Sequence, residues 1–209
     1  MTLPDDFPMK IRRVGTAGLL IECPDAQRVE DWRAELWKRR AAGELRVVEI
    51  VPGARTVLLD GAAPGTAEAL PGWEPAPGGI QAEGPLVEIH TVFDGEDLES
   101  VADLWGVTVD TAVRRLVETP LSVAFSGFAP GFAYLRGLAD EWAVPRLAAP
   151  RPRVPAGSVA LAGGYAGIYP TASPGGWRLV GRTDQNLFDV RREHPALLTP
   201  GTRVRLVAV

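Results

Sequence analysis

The chain has 209 residues, of which 46% are hydrophobic, and a formal net charge of −4 at pH 7. This length can bury a substantial core in one large or two small domains, and the acidic balance argues against general nucleic-acid binding. A single cysteine, Cys23, excludes an internal disulfide framework and a cysteine metal cluster. No apolar run approaches the roughly 20 residues of a membrane span, and residues 1–8 lack a secretory signal pattern, so we expect a cytoplasmic protein.

The N-terminal part of the sequence predicts a small α+β sandwich domain, which we assign to residues 1–84. Val29, Trp32 and Leu36 recur at helical spacing, and Cys23 is expected to be a small apolar residue at the end of a strand. Glycine and proline then dominate residues 61–85 without apolar periodicity, as is typical of a domain boundary. Three short apolar runs predict strands: residues 18–22, 47–51 and 56–60.

The remaining residues, 85–209, predict a mainly β domain that begins with a strand at 86–92 and two helices. Asp94 is expected to cap the first helix, which would bury Leu98, Val101 and Leu104. Val109, Ala112, Val113, Leu116 and Val117 form an apolar stripe on the second helix. Four short apolar runs separated by turn-rich segments then predict a β-barrel or sandwich: residues 121–125, 158–161, 177–180 and 203–209.

Three Gly/Pro clusters between residues 125 and 177 predict shaped loops of the kind that carry ligand sites. Residues 136–209 hold 10 arginines against 5 acids. Because the arginine fork binds carboxylate or phosphate, we expect anion recognition there, although a general preference for Arg over Lys explains the excess equally well. Phe128, Phe132 and Trp177 could instead be core residues that hold the loops in shape. The polar candidates are Arg146, Arg151, Arg153 and Arg182, with Tyr134, Ser158 and Tyr169 as neutral hydrogen-bonding groups.

The sequence offers no convincing catalytic group. His90 falls in a predicted strand and His194 in a predicted surface turn, so structural or solvent roles are favoured for both. No G-x-S-x-G elbow surrounds Ser126 or Ser158, and no metal-ligand spacing is present. Neither lysine follows a glycine, so the chain lacks a phosphate-binding G-x-x-x-x-G-K-S/T loop. Any ATP chemistry is therefore expected to use another device or another subunit.

The three clusters read G-F-A-P-G-F-A-Y-L, P-R-L-A-A-P-R-P-R-V-P-A-G-S-V and Y-P-T-A-S-P-G-G-W in chain order. Together they resemble the B subunit of bacterial 5-oxoprolinase, a family also labelled allophanate hydrolase subunit 1 that includes the kinase inhibitor KipI. The resemblance implies a small α+β first domain and a cyclophilin-like barrel. It also implies a partner of the allophanate hydrolase subunit 2 type, which corresponds to the C subunit of 5-oxoprolinase. The family assembly, with a third subunit, supports ATP-dependent opening of 5-oxoproline to glutamate, so no cofactor is expected on this chain alone.

The sequence also departs from the family pattern. Glu118 and Ser122 stand where a histidine and a tyrosine are common, and Tyr165-Ala166-Gly167 replaces Q-T-G. The Y-G-G-E-x-G-P-D-L segment is shortened to F-D-G-E-D-L at residues 93–98. Because these changes remove polar groups, a divergent subunit acting on another small acid or amide is plausible. The alternative is a regulatory module that inhibits a sensor histidine kinase.

No catalytic residue and no metal ligand is assigned from the sequence. The predicted substrate-binding residues are those of the three clusters and the arginines near them: Gly127, Phe128, Pro130, Gly131, Phe132, Tyr134, Arg146, Arg153, Pro155, Ala156, Gly157, Ser158, Tyr169, Pro174, Gly176, Trp177 and Arg182.

Overall fold

The structure is a computed structural model that describes residues 10–77 and 84–209. The chain separates into two compact units, Met1–Gln81 and Ala82–Val209. The predicted boundary near Gly84 adjoins residues 78–83, which lie outside the described residues, and the assignment of two domains stays a prediction. The expected lack of a secretory signal rests on residues 1–8, which also lie outside the described residues.

The first unit contains a four-stranded antiparallel sheet in the order β1-β2-β4-β3. Helix α1 packs against β3 and β4, and its buried Val29, Trp32 and Leu36 join the core of the sheet. The strands are β1 Lys10–Val14, β2 Gly18–Glu22, β3 Glu49–Pro52 and β4 Thr56–Asp60, and the helices are α1 Ala26–Ala41, α2 Thr66–Ala69 and a 3-10 turn at Leu70–Gly72.

Local sequence explains why α1 begins and persists where it does. The Asp25 side chain accepts a hydrogen bond from the Arg28 backbone N–H at 2.8 Å, which caps the helix. Glu35 and Arg39, four residues apart on the helix, form an ion pair at 2.6 Å. Cys23 follows β2 and is buried, and this burial raises the pKa of its thiol to about 11. The interpretation of Cys23 as a small core residue is therefore confirmed.

The second unit is built on a seven-stranded sheet in the order β12-β9-β10-β7-β6-β13-β5. Val92, just after β5, exchanges two backbone hydrogen bonds of 2.9 Å with Arg182 on β12, so the sheet nearly closes on itself. The strands of this sheet are β5 Leu86–Thr91, β6 Leu121–Ser126, β7 Ala133–Arg136, β9 Ser158–Ala162, β10 Tyr165–Ile168, β12 Arg178–Arg182 and β13 Arg203–Ala208.

Two helices follow β5: α3 Leu98–Leu104 and α4 Val109–Glu118. The prediction that Asp94 caps the first helix is wrong, because α3 has Asp97 at its N-cap position. A Cβ on Gly95 would clash with the Leu179 carbonyl, so the chain runs close along β12 before the helix starts. Leu104, predicted to be buried, is 51% exposed. The stripe on α4 is present, with Ala112 and Leu116 fully buried.

Four strands lie in the region that the sequence predicts to be loops. Besides β7 and β10 they are β8 Arg151–Val154 and β11 Ser173–Gly175, which pair with each other as a separate two-stranded ribbon. Each is short, and three of them contain a proline or a glycine. These residues weaken strand propensity, so turn chemistry outweighs the strand signal in the sequence.

The seven-stranded sheet is buried on both faces along β9. Val159 and Leu161 belong to a core that takes buried side chains from all seven strands and from both helices, and this core is therefore the barrel interior. Ala160 and Ala162 point the opposite way, into an aromatic-rich cluster on the outer face. The expectation of a mainly β barrel-like unit is confirmed, whereas the cyclophilin-like relationship stays a prediction. Among the described residues no helix is both long and apolar enough to span a bilayer.

Candidate functional site

Seven aromatic side chains gather on the outer face of β7, β9 and β10, and we call this group the aromatic face. Its rings contact one another with centroid separations between 4.3 and 6.1 Å, mostly edge to face. The group brings together residues of the first and third predicted clusters and strand residues near them: Phe125, Phe128, Phe132, Tyr134, Tyr165, Tyr169 and Trp177. Val154 of the second cluster packs against them.

Strand alternation and one glycine explain how these rings fit. Phe132 and Tyr134 lie on one side of the β7 segment, while Ala133 and Leu135 point into the barrel. Gly167 on β10 faces the rings, and a Cβ there would lie 2.9 Å from both Phe132 Cζ and Trp177 Cζ3. The missing side chain at this position therefore makes room for two large buried rings of the face.

Phe128 differs from the other aromatic residues in both exposure and backbone. Its φ is +67°, the only positive φ of a non-glycine residue in the described part of the chain. The Ala129 N–H donates to the Gly127 carbonyl at 2.7 Å, so Phe128 is the centre of a γ-turn of the rare, strained, positive-φ form. Its side chain is 60% exposed. The core interpretation holds for the buried Phe132 and Trp177 but is wrong for Phe128, whose strained backbone holds an aromatic ring in solvent.

Burial affects two tyrosine hydroxyls of the face, that of the fully buried Tyr169 and that of the half-buried Tyr165. Burial raises the pKa of Tyr169, against the opposing effects of a hydrogen bond from the Trp177 backbone and the positive charge of Arg146. Burial also raises the pKa of Tyr165, which Arg136 opposes. Both phenols therefore remain neutral hydrogen-bonding groups at physiological pH.

The candidate arginines have different surroundings. Arg151 is anchored: its Nη2 atom donates to both carboxylate oxygens of Asp97 at 2.9 Å. Arg146 is exposed, and its charge acts on the Tyr169 hydroxyl. Within the part of the chain that the structure describes, Arg146 forms no hydrogen bond or ion pair. The next residue fixes its loop, because the Leu147 N–H donates to the Gly176 carbonyl at 2.8 Å.

Two other predicted arginines lie away from the aromatic face. Val154 packs into the cluster, so strand alternation turns the exposed Arg153 to the opposite side of the β8–β11 ribbon. Arg182 pairs with Asp94 at 3.0 Å and stands opposite Ser158, at the far end of β12 from Trp177. Arg182 comes four positions after Arg178, roughly 13 Å along the strand. Arg182 instead lines a separate depression of about 360 Å³ with His90, Val92, Thr183, Asp184 and Val209.

Contacts within the protein account for the P-A-G-S turn, residues 155–158. Gly157 adopts a φ of +81°, and a Cβ there would clash with the Thr183 carbonyl oxygen. The Ser158 hydroxyl is buried and donates to the Pro155 carbonyl at 2.9 Å. These contacts explain the sequence of the turn without a ligand. The neighbouring Pro155 and Ala156 are exposed.

The other predicted residues surround the Phe128 turn or the ribbon. Gly131 has a φ of +82° and lies against Phe188, while Gly127 is exposed. Pro174 is exposed on β11, and so is Pro130 beside the turn.

The sequence interpretation missed two residues, Phe125 and Arg136. Phe125 stacks on Tyr134 at 4.3 Å, and Arg136 Nε donates to Ser122 Oγ at 3.1 Å. Alternation with Phe132 and Tyr134 along β7 was the available signal for Arg136, whereas Phe125 follows a register shift after Val123 that alternation along β6 does not predict.

The arrangement brings together groups that can bind a ligand. Both histidines are exposed, His90 on β5 and His194 in a bend, and neither belongs to the aromatic face. Within residues 10–77 and 84–209 no group of three His, Cys, Asp or Glu side chains could hold a metal ion. Glu118 is exposed near the end of α4. The face and the nearby Arg146 offer neutral phenols, the exposed ring of Phe128 and a guanidinium that has no hydrogen bond or ion pair within the described residues. Together these groups can hold a small anion with an apolar or amide body.

Comparison with known proteins identifies relatives along nearly the whole chain. The family described as "Carboxyltransferase domain, subdomain C and D" matches residues 9–198. The B subunit of 5-oxoprolinase from Escherichia coli O157:H7 is 38% identical over 182 residues, which are 82% of this chain and 84% of the relative.

Solved structures also resemble the chain in three dimensions. The protein TTHA0988 is 32% identical with a TM-score of 0.72, and the match covers 93% of this chain but only 40% of that longer chain. The urea carboxylase of Kluyveromyces lactis has a TM-score of 0.67 at 19% identity, with coverage of 96% of this chain and 22% of that one. The second likeness concerns the fold alone.

Proposed function

Because the chain belongs to the family of carboxyltransferase-domain subdomains C and D, which here includes the B subunit of 5-oxoprolinase, we propose that it is a subunit of an ATP-dependent 5-oxoprolinase or related amide hydrolase. The family resemblance predicted from the three clusters is thereby confirmed. The proposed substrate is a small carboxylated lactam or amide, which the chain binds together with a partner of the allophanate hydrolase subunit 2 type.

One observation supports the substrate class: the exposed Arg146, which forms no hydrogen bond or ion pair within the described residues, is near enough to the aromatic face for its charge to act on the buried Tyr169 hydroxyl. A guanidinium binds a carboxylate strongly, and the half-buried phenols of Tyr134 and Tyr165 can hydrogen-bond the amide or lactam carbonyl. The aromatic rings would cover the apolar ring of the substrate. 5-Oxoproline presents these three features together, since it is an anionic five-membered lactam.

Under this proposal the chain does not hydrolyse the substrate without partner subunits. Amide hydrolysis needs an activated nucleophile or water and a proton donor, and the aromatic face contains no histidine or carboxylate to provide them. We therefore assign ATP use and proton transfer to partner subunits. Support for a partner comes from the Escherichia coli relative, whose name makes it one of several subunits, and from TTHA0988, in which the matched region is part of a much longer chain.

The test is reconstitution of the chain with its subunit 2 type partner and third subunit, followed by measurement of ATP hydrolysis. The wild-type mixture is expected to hydrolyse ATP faster when 5-oxoproline is added, whereas each subunit alone is not. Allophanate and other small amides serve as competing substrates. A mixture that assembles but shows no stimulation by any of them would refute the proposal, and tight binding to a histidine kinase instead would favour the inhibitor role.

Arg146→Ala is the sharpest variant for the substrate site. Loss of one charged hydrogen bond of about 1.5 to 3 kcal/mol predicts a KM for 5-oxoproline raised roughly 10- to 100-fold. Arg205→Ala is the matched control, because Arg205 is an exposed arginine on β13 that pairs with Glu88. Arg153→Ala and Arg182→Ala complete the series. If either of these abolishes stimulation while Arg146→Ala does not, the substrate binds away from the aromatic face.

A further inference from the structure

Two groups hold Trp177 through its backbone. Its carbonyl oxygen accepts a hydrogen bond from Arg151 Nη1 at 3.4 Å. Its backbone also hydrogen-bonds the Tyr169 hydroxyl. The indole ring lies 5.4 Å from the Phe132 ring, edge to face. The position of Trp177 is thus tied to Arg151 on one side and to Tyr169 on the other.

Arg151 is itself fixed by a carboxylate that is nearly buried. Asp97 is 8% exposed, and both of its oxygens accept from Arg151 Nη2 at 2.9 Å. Asp97 also bonds the backbone of Leu179 in both directions, since its Oδ2 accepts from the Leu179 N–H at 2.7 Å and its own N–H donates to the Leu179 carbonyl at 2.9 Å. One residue therefore joins the start of α3, strand β8 and strand β12.

These contacts connect a pair outside the aromatic face to two residues within it. We propose that Asp97 and Arg151 form a positioning pair that holds Trp177 and Tyr169 as one wall of the ligand site, an inference that rests on the proposed function of that site. Arg151 thus differs in role from the free Arg146. It acts through the Trp177 backbone and the ribbon, and it makes no contact with the substrate.

The geometry explains why arginine is required at this position. One guanidinium reaches Asp97 through Nη2, Glu96 through Nε and the Trp177 carbonyl through Nη1. A lysine keeps the charge beside Asp97, but its three N–H donors share one nitrogen, which cannot reach three partners that the guanidinium contacts through three separate nitrogens. Arg151→Lys should therefore preserve the ion pair and release Trp177. Asp97→Asn should weaken the interaction with the Arg151 guanidinium by removing the charge of its partner.

The experiment uses the full chain labelled with 5-fluorotryptophan, and fluorine NMR reports each of its six tryptophans. Trp177→Phe assigns the Trp177 resonance. Arg151→Lys and Asp97→Asn are expected to shift or broaden that resonance, while the resonance of Trp142, which packs against the core of the same unit, stays in place as the folding control. Arg115→Lys is the matched variant: Arg115 stacks on Trp142 at 4.9 Å, so it should move the Trp142 signal and leave that of Trp177 unchanged.

The kinetic arm uses the reconstituted complex with 5-oxoproline. Displacement of the wall should raise KM about 10-fold with kcat changed less than about twofold, because misplaced binding groups weaken substrate capture. An unchanged Trp177 resonance in Arg151→Lys overturns the proposal, and so does a changed resonance with unchanged KM. If Asp97→Asn fails to fold, the Trp177 resonance and the KM of Arg151→Lys test the proposal without it. Absence of turnover in the wild-type complex instead refutes the proposed function, and the fluorine spectra still test whether the pair positions Trp177.

Discussion

Phe128 shows how a single residue can carry both strain and exposure. A non-glycine residue at positive φ costs on the order of 1 to 3 kcal/mol, and such strain concentrates at ligand sites. Phe128 lies within ring contact of Phe132 and Tyr169, so its exposed ring extends the aromatic face into solvent. We interpret the strain as the cost of presenting this ring to a ligand or to the partner subunit.

The strain at Phe128 predicts an inverted order of stabilities. Glycine normally destabilises a chain relative to alanine, but at a φ of +67° it removes the strain. Phe128→Gly is therefore expected to be more stable than Phe128→Ala by about 1 kcal/mol, measured by urea unfolding. Phe125, which has no positive φ, is the control position, where Phe125→Ala should be more stable than Phe125→Gly. The usual order at both positions would contradict the γ-turn.

Gly167 lies against the buried rings of the aromatic face, so a substitution at this position tests how tightly the rings pack. Alanine there would place a Cβ 2.9 Å from two buried rings, so Gly167→Ala is expected to lower the free energy of unfolding by about 1 to 3 kcal/mol. Gly164 provides the matched control, because a Cβ at that position meets no atom within 4 Å and its backbone is not in the positive-φ region. Equal stability of the two alanine variants would show that the rings do not fill the space above Gly167.

At the scale of the elements, the two helices of the second unit allow two N-cap residues to be compared. Thr108 caps α4, whereas Asp94, predicted to cap the first helix, does not. The Thr108 hydroxyl accepts from the Thr111 N–H at 3.3 Å at the start of α4. Thr108→Ala should therefore cost about 1 kcal/mol of stability. Asp94 caps no helix and forms an exposed ion pair with Arg182, so Asp94→Ala should change stability by less than about 0.5 kcal/mol. Calorimetric unfolding of both variants measures the difference, and a larger loss for Asp94→Ala would restore the sequence-based assignment of the cap.

The same elements show what the sequence could predict. Periodicity located α1, α4 and the long apolar strands, because their side chains face a core directly. It missed β1, whose K-I-R-R-V sequence forms a mostly exposed edge strand, and β8 and β11, whose strand character comes from pairing with each other. The start of α3 was also misplaced, since the tertiary contact of Gly95 with β12 delays the helix to Leu98.

For the candidate site, too, the sequence predicted some features and not others. Composition identified the three clusters that meet at the aromatic face, and the arginine excess indicated an anion. Composition could not distinguish the anchored Arg151 from the free Arg146, because that difference depends on Asp97, 54 residues away in the chain. Nor could it separate Arg182 from the face, since this follows from the register of β12 on β9.

At the scale of the whole molecule, the second unit provides half of the proposed binding site. It offers a guanidinium, phenols and a strained exposed ring on one surface, but the aromatic face contains no histidine or carboxylate beside them. This chain matches 40% of TTHA0988, so in that protein further chain accompanies the same fold. We therefore expect the ligand to be enclosed only when the subunit 2 type partner is present.

The most direct test of this claim is calorimetric titration of 5-oxoproline into the chain alone and into its complex with the subunit 2 type partner. We expect saturable binding by the complex, loss of that binding in Arg146→Ala, and no saturable heat from the isolated chain. Equally tight binding by the isolated chain would contradict the claim that the partner completes the site. Absence of binding by an assembled wild-type complex would contradict the substrate assignment itself.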